Sequence, residues 1–324
     1  MMKAMLAAAP GGPDAMVWSD VELGAPGPGE VRIRHRAIGV NFIDVYYRSG
    51  LYPWPDKTLI PGAEAAGVIT AVGPDVHDVA IGDHVAYVSR LGAYCEERLI
   101  DADRCVKIPV NLSDTVVAGS LLKGLTAQYL VTSSYAVQPG DTILVHAAAG
   151  GVGLILGQWL KALGAHAIGT AGSPEKIALA EAHGYEHVIN YRQDDFVPAV
   201  KEITSGRGCA AVYDSVGADT WRGSLQCLKK RGMFVSFGQS SGMIEGFKLS
   251  DLAAHGSISA NRPVLFDYVE DRAELLSRSA DLFSRLVGGE IRITEPDRRP
   301  LSEAAEAHAL LEGRQTTGSL VLTP

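Results

Sequence analysis

Thr142-Ile143-Leu144-Val145-His146-Ala147-Ala148-Ala149-Gly150-Gly151-Val152-Gly153 passes straight from a buried-strand pattern into a helical one, and this turn does most to limit what the chain can become. It heads a regular series. Strand-like runs recur at Thr142 to His146, His166 to Thr170, His187 to Asn190, Ala210 to Asp214, Met233 to Phe237 and Ser257 to Ala260. Between the first four lie helix patterns long enough for a crossover, at Val152 to Leu163, Pro174 to His183 and Asp194 to Thr204. Alternating strand and helix implies an α/β, doubly wound parallel six-stranded sheet with helices on both faces.

The residues before this series read differently. Short β-type runs at Val31 to Ala37, Ala66 to Val72, His84 to Val88 and Ala93 to Leu99 alternate with turn clusters such as Gly24-Ala25-Pro26-Gly27-Pro28-Gly29, which predicts a compact all-β module. Leu121 to Tyr135 has helical spacing and is stopped by Pro139-Gly140. After Arg262 come a long helix over about Asp267 to Val287, a strand Ile291 to Thr294, a helix Ser302 to Leu311 and a strand Ser319 to Leu322. This tail is too small for a core of its own, so it is expected to return to the amino-terminal module. The expected boundaries are residues 1–122, 123–262 and 263–324.

Composition removes several classes of function. A chain of 324 residues with 47% apolar and 20% charged residues suits a packed two-domain protein. No apolar run reaches the roughly 20 residues of a membrane span. The net charge of −8 argues against nucleic acid as a main partner. Four scattered cysteines without a C-x-x-C pair read as small buried hydrophobes. The start Met1-Met2-Lys3-Ala4 has no long apolar signal core, so a reduced cytoplasm is expected.

The glycine turn suggests a specific ligand. A dinucleotide diphosphate needs a tight turn, bare backbone that can approach closely, and a helix amino terminus with free N–H groups. Gly150 and Gly153 stand at the second and third positions of G-x-G-x-x-G, with Ala148 where the first belongs. A site selective for NAD carries an acid at the tip of the second strand, to meet the adenosine ribose. Here that tip reads Thr170-Ala171-Gly172-Ser173-Pro174-Glu175-Lys176, and Tyr191-Arg192 closes the third strand nearby. A hydroxyl and a cation in place of the acid favour a 2′-phosphate, so NADPH is the expected cofactor. Ser173 and Pro174 also suit a helix cap, which is compatible with that contact.

Further segments carry a family likeness: Asn41-Phe42-Ile43-Asp44-Val45-Tyr46-Tyr47-Arg48-Ser49-Gly50-Leu51-Tyr52, Pro61-Gly62-Ala63-Glu64-Ala65-Ala66-Gly67, Lys123-Gly124-Leu125-Thr126-Ala127, Val212-Tyr213-Asp214-Ser215-Val216-Gly217, and Val235-Ser236-Phe237-Gly238-Gln239-Ser240-Ser241-Gly242. With the glycine turn, they make the chain resemble, along nearly its whole length, the zinc-independent NADPH:quinone oxidoreductases, the zeta-crystallin type, of the medium-chain dehydrogenase/reductase superfamily. The resemblance implies a GroES-like β domain built from both chain ends, an inserted Rossmann domain, an active site in the cleft between them and a homodimer. It implies that Gly150, Gly151, Val152, Gly172, Ser173, Lys176 and Tyr191 hold the phosphates and adenosine end. Thr126, Ser215, Phe237, Gly238 and Ser240 would lie along the rest of the dinucleotide. Asn41, Asp44, Tyr46 and Tyr52 would face nicotinamide and substrate, with Arg262 and Arg314 as weaker cleft candidates.

Zinc alcohol dehydrogenases hold a catalytic metal with cysteine, histidine and a carboxylate. In this chain no cysteine stands near Asn41, and Gly62-Ala63-Glu64 replaces the histidine-glutamate pair. His183 and His187 are four apart but lack a third ligand. Without a metal, reduction of an already electrophilic acceptor is favoured, with Asn41, Tyr46 and Tyr52 as candidate hydrogen-bond donors to the developing oxyanion. The small-molecule acceptor is expected to be a quinone. Alternatives are reduction of α,β-unsaturated carbonyls such as enones and alkenals, and a non-enzymatic NADPH- or RNA-binding role. Gly238 to Gly242 also fits G-x-S-x-G, but an elbow serine must launch a helix and Met243-Ile244-Glu245-Gly246 is a poor one.

Overall fold

The computed structural model describes residues 1–54 and 58–324. The chain divides into two compact units. One comprises Met1–Lys123, Tyr268–Val287 and Ile293–Pro324; the other comprises Gly124–Asp267 and Gly288–Arg292.

The second unit is the α/β series. Its strands are Thr142–Val145, His166–Ala171, His187–Asn190, Cys209–Asp214, Leu228–Ser236 and Ser259–Asn261, and helices Gly151–Ala162, Pro174–Ala182 and Phe196–Ile203 connect the first four. Their spatial order is third, second, first, fourth, fifth, sixth. All five pairings are parallel, which makes this a doubly wound Rossmann sheet. Leu144, Ile168 and Val212 are buried in its core, as continuous apolar strands between two helix layers require. The order reverses between the first and fourth strands. Because every strand points the same way, all carboxyl ends share one edge of the sheet, and a ligand crevice opens at such a reversal.

In the first unit, strands Glu30–Gly39, Glu64–Val72, His84–Val88 and Val106–Lys107 pair antiparallel in succession. Strand Leu320–Thr323 adds to the far side of Glu30–Gly39, so both chain ends build this sheet. A separate hairpin pairs Met2–Ala7 with Met16–Val21.

The structure corrects several expectations. The amino-terminal module is not all β, because the helix Phe42–Arg48 interrupts it; Asp44 accepts the backbone N–H of Asn41 at 2.8 Å and so caps that helix. The run Ala93 to Leu99 becomes strand only at Glu97–Asp101, since Tyr94 and Lys3 exchange backbone bonds with Met5 and Glu96 first. Leu121 to Tyr135 is α-helical over Leu121–Tyr129 and widens to a π-helix at Leu130–Ser134, where the Tyr213 hydroxyl donates to the Leu130 carbonyl at 2.9 Å. The long helix begins at Arg272, after a short turn Leu265–Tyr268, because Arg104 takes the carbonyls of Val269 and Glu270. Ile291 to Thr294 is not a strand. Gln158 holds the Arg292 backbone from both sides, and the strand forms instead at the polar run Asp297–Pro300, parallel to Leu320–Thr323.

Candidate functional site

In the second unit, the first strand ends at Val145 and the turn Ala147 to Gly150 leads into the helix Gly151–Ala162. Ala147 takes the left-handed conformation (φ 55°), one place before Ala148, which stands at the first glycine position of the motif. Gly150 is the N-cap and, having no side chain, contributes no cap to the first N–H groups of that helix, the groups that an anion at a helix amino terminus would meet. A Cβ on Gly153 would overlap the carbonyl oxygens of Ala147 and Ala148. This glycine therefore lets the helix close onto the turn, which keeps Gly150, Gly151 and Val152 at its mouth.

The second strand ends beside this turn, where the Ala148 N–H donates to Thr170 at 3.0 Å. A Cβ on Gly172 would collide with the Tyr191 hydroxyl, so the two residues are in direct apposition. Ser173 caps the next helix by accepting from the Lys176 N–H at 3.4 Å. The next acid along the chain is Glu175. It is fully exposed, and the Ser173 hydroxyl holds its carboxyl below the ordinary range. Gly172, Ser173, Lys176 and Tyr191 are thus brought together at the end of the second strand.

The fourth and fifth strands contribute a paired loop. Asp214 is fully buried; Oδ1 accepts from the N–H groups of Val216 and Gly217 at 2.9 and 3.0 Å, while Oδ2 accepts from the Ser224 hydroxyl at 2.8 Å. Phe237 donates to the Asp214 carbonyl and Ser240 to that of Ser215, and a Cβ on Gly238 would crowd the Ser215 carbonyl. Ser215, Phe237, Gly238 and Ser240 are therefore brought together. No helix launches from Gly238 to Gly242, which removes the nucleophile-elbow reading. Buried His146 ties these parts together, its ring reaching Thr170 at 3.1 Å and Ser224 at 3.0 Å. Sequence reasoning assigned no role to His146 or Asp214; their placement inside two of the quoted motifs was the available signal.

Thr126 lies buried on the helix Leu121–Tyr129. Arg262 follows the edge strand Ser259–Asn261, exposed, and one guanidinium N–H donates to the Pro263 carbonyl.

In the first unit, Asn41, Asp44, Tyr46 and Tyr52 cluster around the helix Phe42–Arg48. Tyr46 and Tyr52 have ring centroids 5.3 Å apart, and the Tyr52 N–H donates to the Tyr46 carbonyl. Asp44 is wholly buried. Its carboxyl takes the Tyr94 hydroxyl at 3.1 Å, and burial pushes its pKa up to about 7. Tyr94 also meets His308 Nε2 at 2.9 Å, and burial holds that imidazole down at about 3. Arg314 is exposed, in a left-handed turn (φ 56°) after the helix Ala304–Glu312.

The sequence left Glu64 without a role, and the structure gives it one. Oε1 accepts from Asn41 Nδ2 at 2.9 Å and from Lys123 Nζ at 3.1 Å, while Oε2 accepts from the Leu122 N–H at 2.7 Å. A catalytic zinc does not fit this carboxylate, because the ammonium beside it would repel a divalent cation. Among the described residues no group of three or more histidine, cysteine or acidic side chains is arranged to hold a metal ion. His183 instead contacts the Leu179 carbonyl at 2.7 Å through Nδ1. All four cysteines are buried and unbridged, and desolvation raises each thiol to about 12.

A GroES-like module and a Rossmann sheet with a glycine turn define the alcohol dehydrogenase-like class of oxidoreductases. The family model of the alcohol dehydrogenase GroES-like domain matches residues 27–151, and that of the zinc-binding dehydrogenases matches residues 151–279. A quinone oxidoreductase of Pseudomonas aeruginosa is 46% identical over 100% of both chains. A 2-haloacrylate reductase of a Burkholderia species is 45% identical over 97% of this chain and 96% of its own. The crystal structure of Escherichia coli quinone oxidoreductase complexed with NADPH superposes with a TM-score of 0.97 at 44% identity, covering 99% of this chain and 100% of that one. The chain belongs to the quinone oxidoreductase family.

Proposed function

We propose that this protein reduces quinones with NADPH and without a metal. The observation that carries the reading is the second-strand notch, where Gly172, Ser173, Lys176 and Tyr191 meet and no acid occupies the strand tip. NADPH fits the residues present. The uncapped amino terminus of the helix Gly151–Ala162 would take the diphosphate, and Lys176 with Ser173 would take the 2′-phosphate. Ser215, Phe237, Gly238, Ser240 and Thr126 would hold the remainder of the dinucleotide, with Arg314 as a further contact.

Bound there, the cofactor supplies a hydride; with one proton from solvent or a side chain, this converts a quinone to its hydroquinone. The protein's part is to orient the reactants, exclude water and meet developing oxygen charge with hydrogen bonds, for which Tyr46 and Tyr52 are the donors. Asn41 and Asp44 shape the same region. Reduction of an activated carbon–carbon double bond is the second reading, favoured by the 2-haloacrylate reductase relative. A homodimer is part of the proposal, checked by sedimentation.

The test is NADPH oxidation measured against a panel of quinones, enones and haloacrylates, before and after exhaustive chelation. Turnover of quinones at an unchanged rate is expected. Turnover of the alkenes alone would replace the first reading by the second, and a need for bound metal would overturn both.

A further inference from the structure

We propose that His146 is a positioning residue that fixes the loop after the fourth strand against the glycine turn. Its imidazole is held as the Nε2–H tautomer by a hydrogen-bond series that runs one way, from Thr170 through His146 and Ser224 to Asp214. The inference rests on the NADPH reading, in which that turn and that loop hold different parts of one dinucleotide.

The series lies wholly within the second unit, and its direction follows from its far end. Asp214 closes the fourth strand, and its Oδ1 accepts the N–H groups of Val216 and Gly217. The Thr220 hydroxyl donates to Oδ2 of the same carboxylate at 2.8 Å, and so does the Ser224 hydroxyl, also at 2.8 Å. A carboxylate only accepts, so the single proton of Ser224 is committed to it. Ser224 Oγ is then an acceptor toward His146 Nε2, 3.0 Å away, and that nitrogen must carry a proton. All four side chains of the series are buried, and desolvation holds the imidazole below its ordinary range. The ring is therefore neutral and Nδ1 is bare. The Thr170 hydroxyl, 3.1 Å from Nδ1, completes the series as its donor.

Each link belongs to a different part of the proposed cradle. Thr170 stands on the second strand, and its carbonyl accepts the Ala148 N–H, which pins the glycine turn. His146 directly precedes that turn, and its own N–H donates to the Tyr213 carbonyl in the fourth strand. Ser224 lies on the helix Trp221–Gln226, and Asp214 holds the backbone that follows Ser215. The first and fourth strands pair side by side where the sheet order reverses, and the His146–Ser224–Asp214 link ties their carboxyl ends together beyond the last pair of the ladder. With the imidazole removed, Ser224 and Thr170 lose their common partner, and the spacing of turn and loop loses its side-chain tie.

Two ligands separate positioning from general damage. In the NADPH reading the whole dinucleotide needs both turn and loop, whereas adenosine 2′,5′-bisphosphate needs only the turn and the notch at the second strand. H146L should raise the calorimetric Kd of NADPH about tenfold and that of the bisphosphate by less than about twofold. H146Q, whose amide nitrogen can still donate to Ser224, should recover part of the loss. Equal rises for both ligands, no rise for NADPH, or no recovery in H146Q would each overturn the proposal. Should H146L fold poorly, S224A deletes only one hydroxyl and carries the same comparison with the same expected outcome. NMR of the cofactor-free protein with isotope-labelled histidine reads the tautomer directly. The ring resonances that vanish in H146Q must show a proton on Nε2 and a bare Nδ1; a proton on Nδ1 would overturn the proposal. Wild-type protein that binds neither ligand would remove the NADPH reading and the positioning role with it, while the NMR spectrum still shows independently whether the series exists.

Discussion

At the scale of single residues, the notch at the second strand contains opposed charges, Lys176 and Glu175, and in the proposed function their balance would set cofactor preference. Lys176 offers a cation, whereas Glu175 is an exposed anion whose carboxyl the Ser173 hydroxyl holds below the ordinary range. A 2′-phosphate bound as proposed would compete with Glu175 for that hydroxyl and pair with Lys176. Lys176→Ala should therefore raise the KM for NADPH by about tenfold or more while leaving that for NADH nearly unchanged, as measured by initial rates with each cofactor. Equal changes would remove the 2′-phosphate from the account. The strand tip and helix start around Lys176 were legible because glycine turn, strand and helix follow one another within a short stretch. Asp214, His146 and Glu64 were not, since their partners come from elsewhere in the chain. Nothing local in Ala63-Glu64-Ala65 announces a lysine 59 residues away.

The glycine turn shows at the level of an element how two identical residue types serve separate ends. A Cβ on Gly153 would overlap the carbonyl oxygens of Ala147 and Ala148, whereas one on Gly150 meets only the Ala147 carbonyl, at 3.1 Å. Gly153→Ala should therefore destabilise the folded protein by about 1–3 kcal/mol through overpacking. Gly150→Ala should shift the melting temperature little yet weaken NADPH binding, because its methyl stands where the diphosphate must approach. Thermal melts paired with calorimetric NADPH titrations check this; parallel losses in both variants would refute the division of labour. The strands and helices around this turn were readable because apolar runs between glycine and proline punctuation leave one periodicity at a time. Elements held by side chains were not. Asp297–Pro300 is too polar to read as a strand and exists because Leu320–Thr323 offers it an edge, and the helix expected from Asp267 is broken where Arg104 takes two of its carbonyls.

For the whole molecule, the buried ionisable groups of the first unit link its stability to pH. His35 lies between the Cys95 carbonyl and the Tyr87 hydroxyl, and burial lowers its pKa to about 4. His308, beside Tyr94, is lowered to about 3, while Asp44 is raised to about 7. The signs oppose. Between its unfolded pKa of about 6.5 and its lowered native value, each histidine binds a proton only on unfolding, so stability falls as the pH drops through that window. Asp44 is protonated in the native state below about 7 but in the unfolded chain only below about 3.9, so it favours folding as the pH drops. Two groups against one leave a net loss of about 1.4 kcal/mol per pH unit between roughly pH 6 and 4.5. Replacing His308 by glutamine removes one of the pair and leaves His35 and Asp44 nearly cancelling. Melting temperatures measured at intervals across roughly pH 6 to 4.5 should fall steadily for the wild-type protein and much less for His308→Gln. An equally steep fall in the variant would show that His308 takes no proton on unfolding and that acid sensitivity arises from groups outside the Asp44–Tyr94–His308 chain.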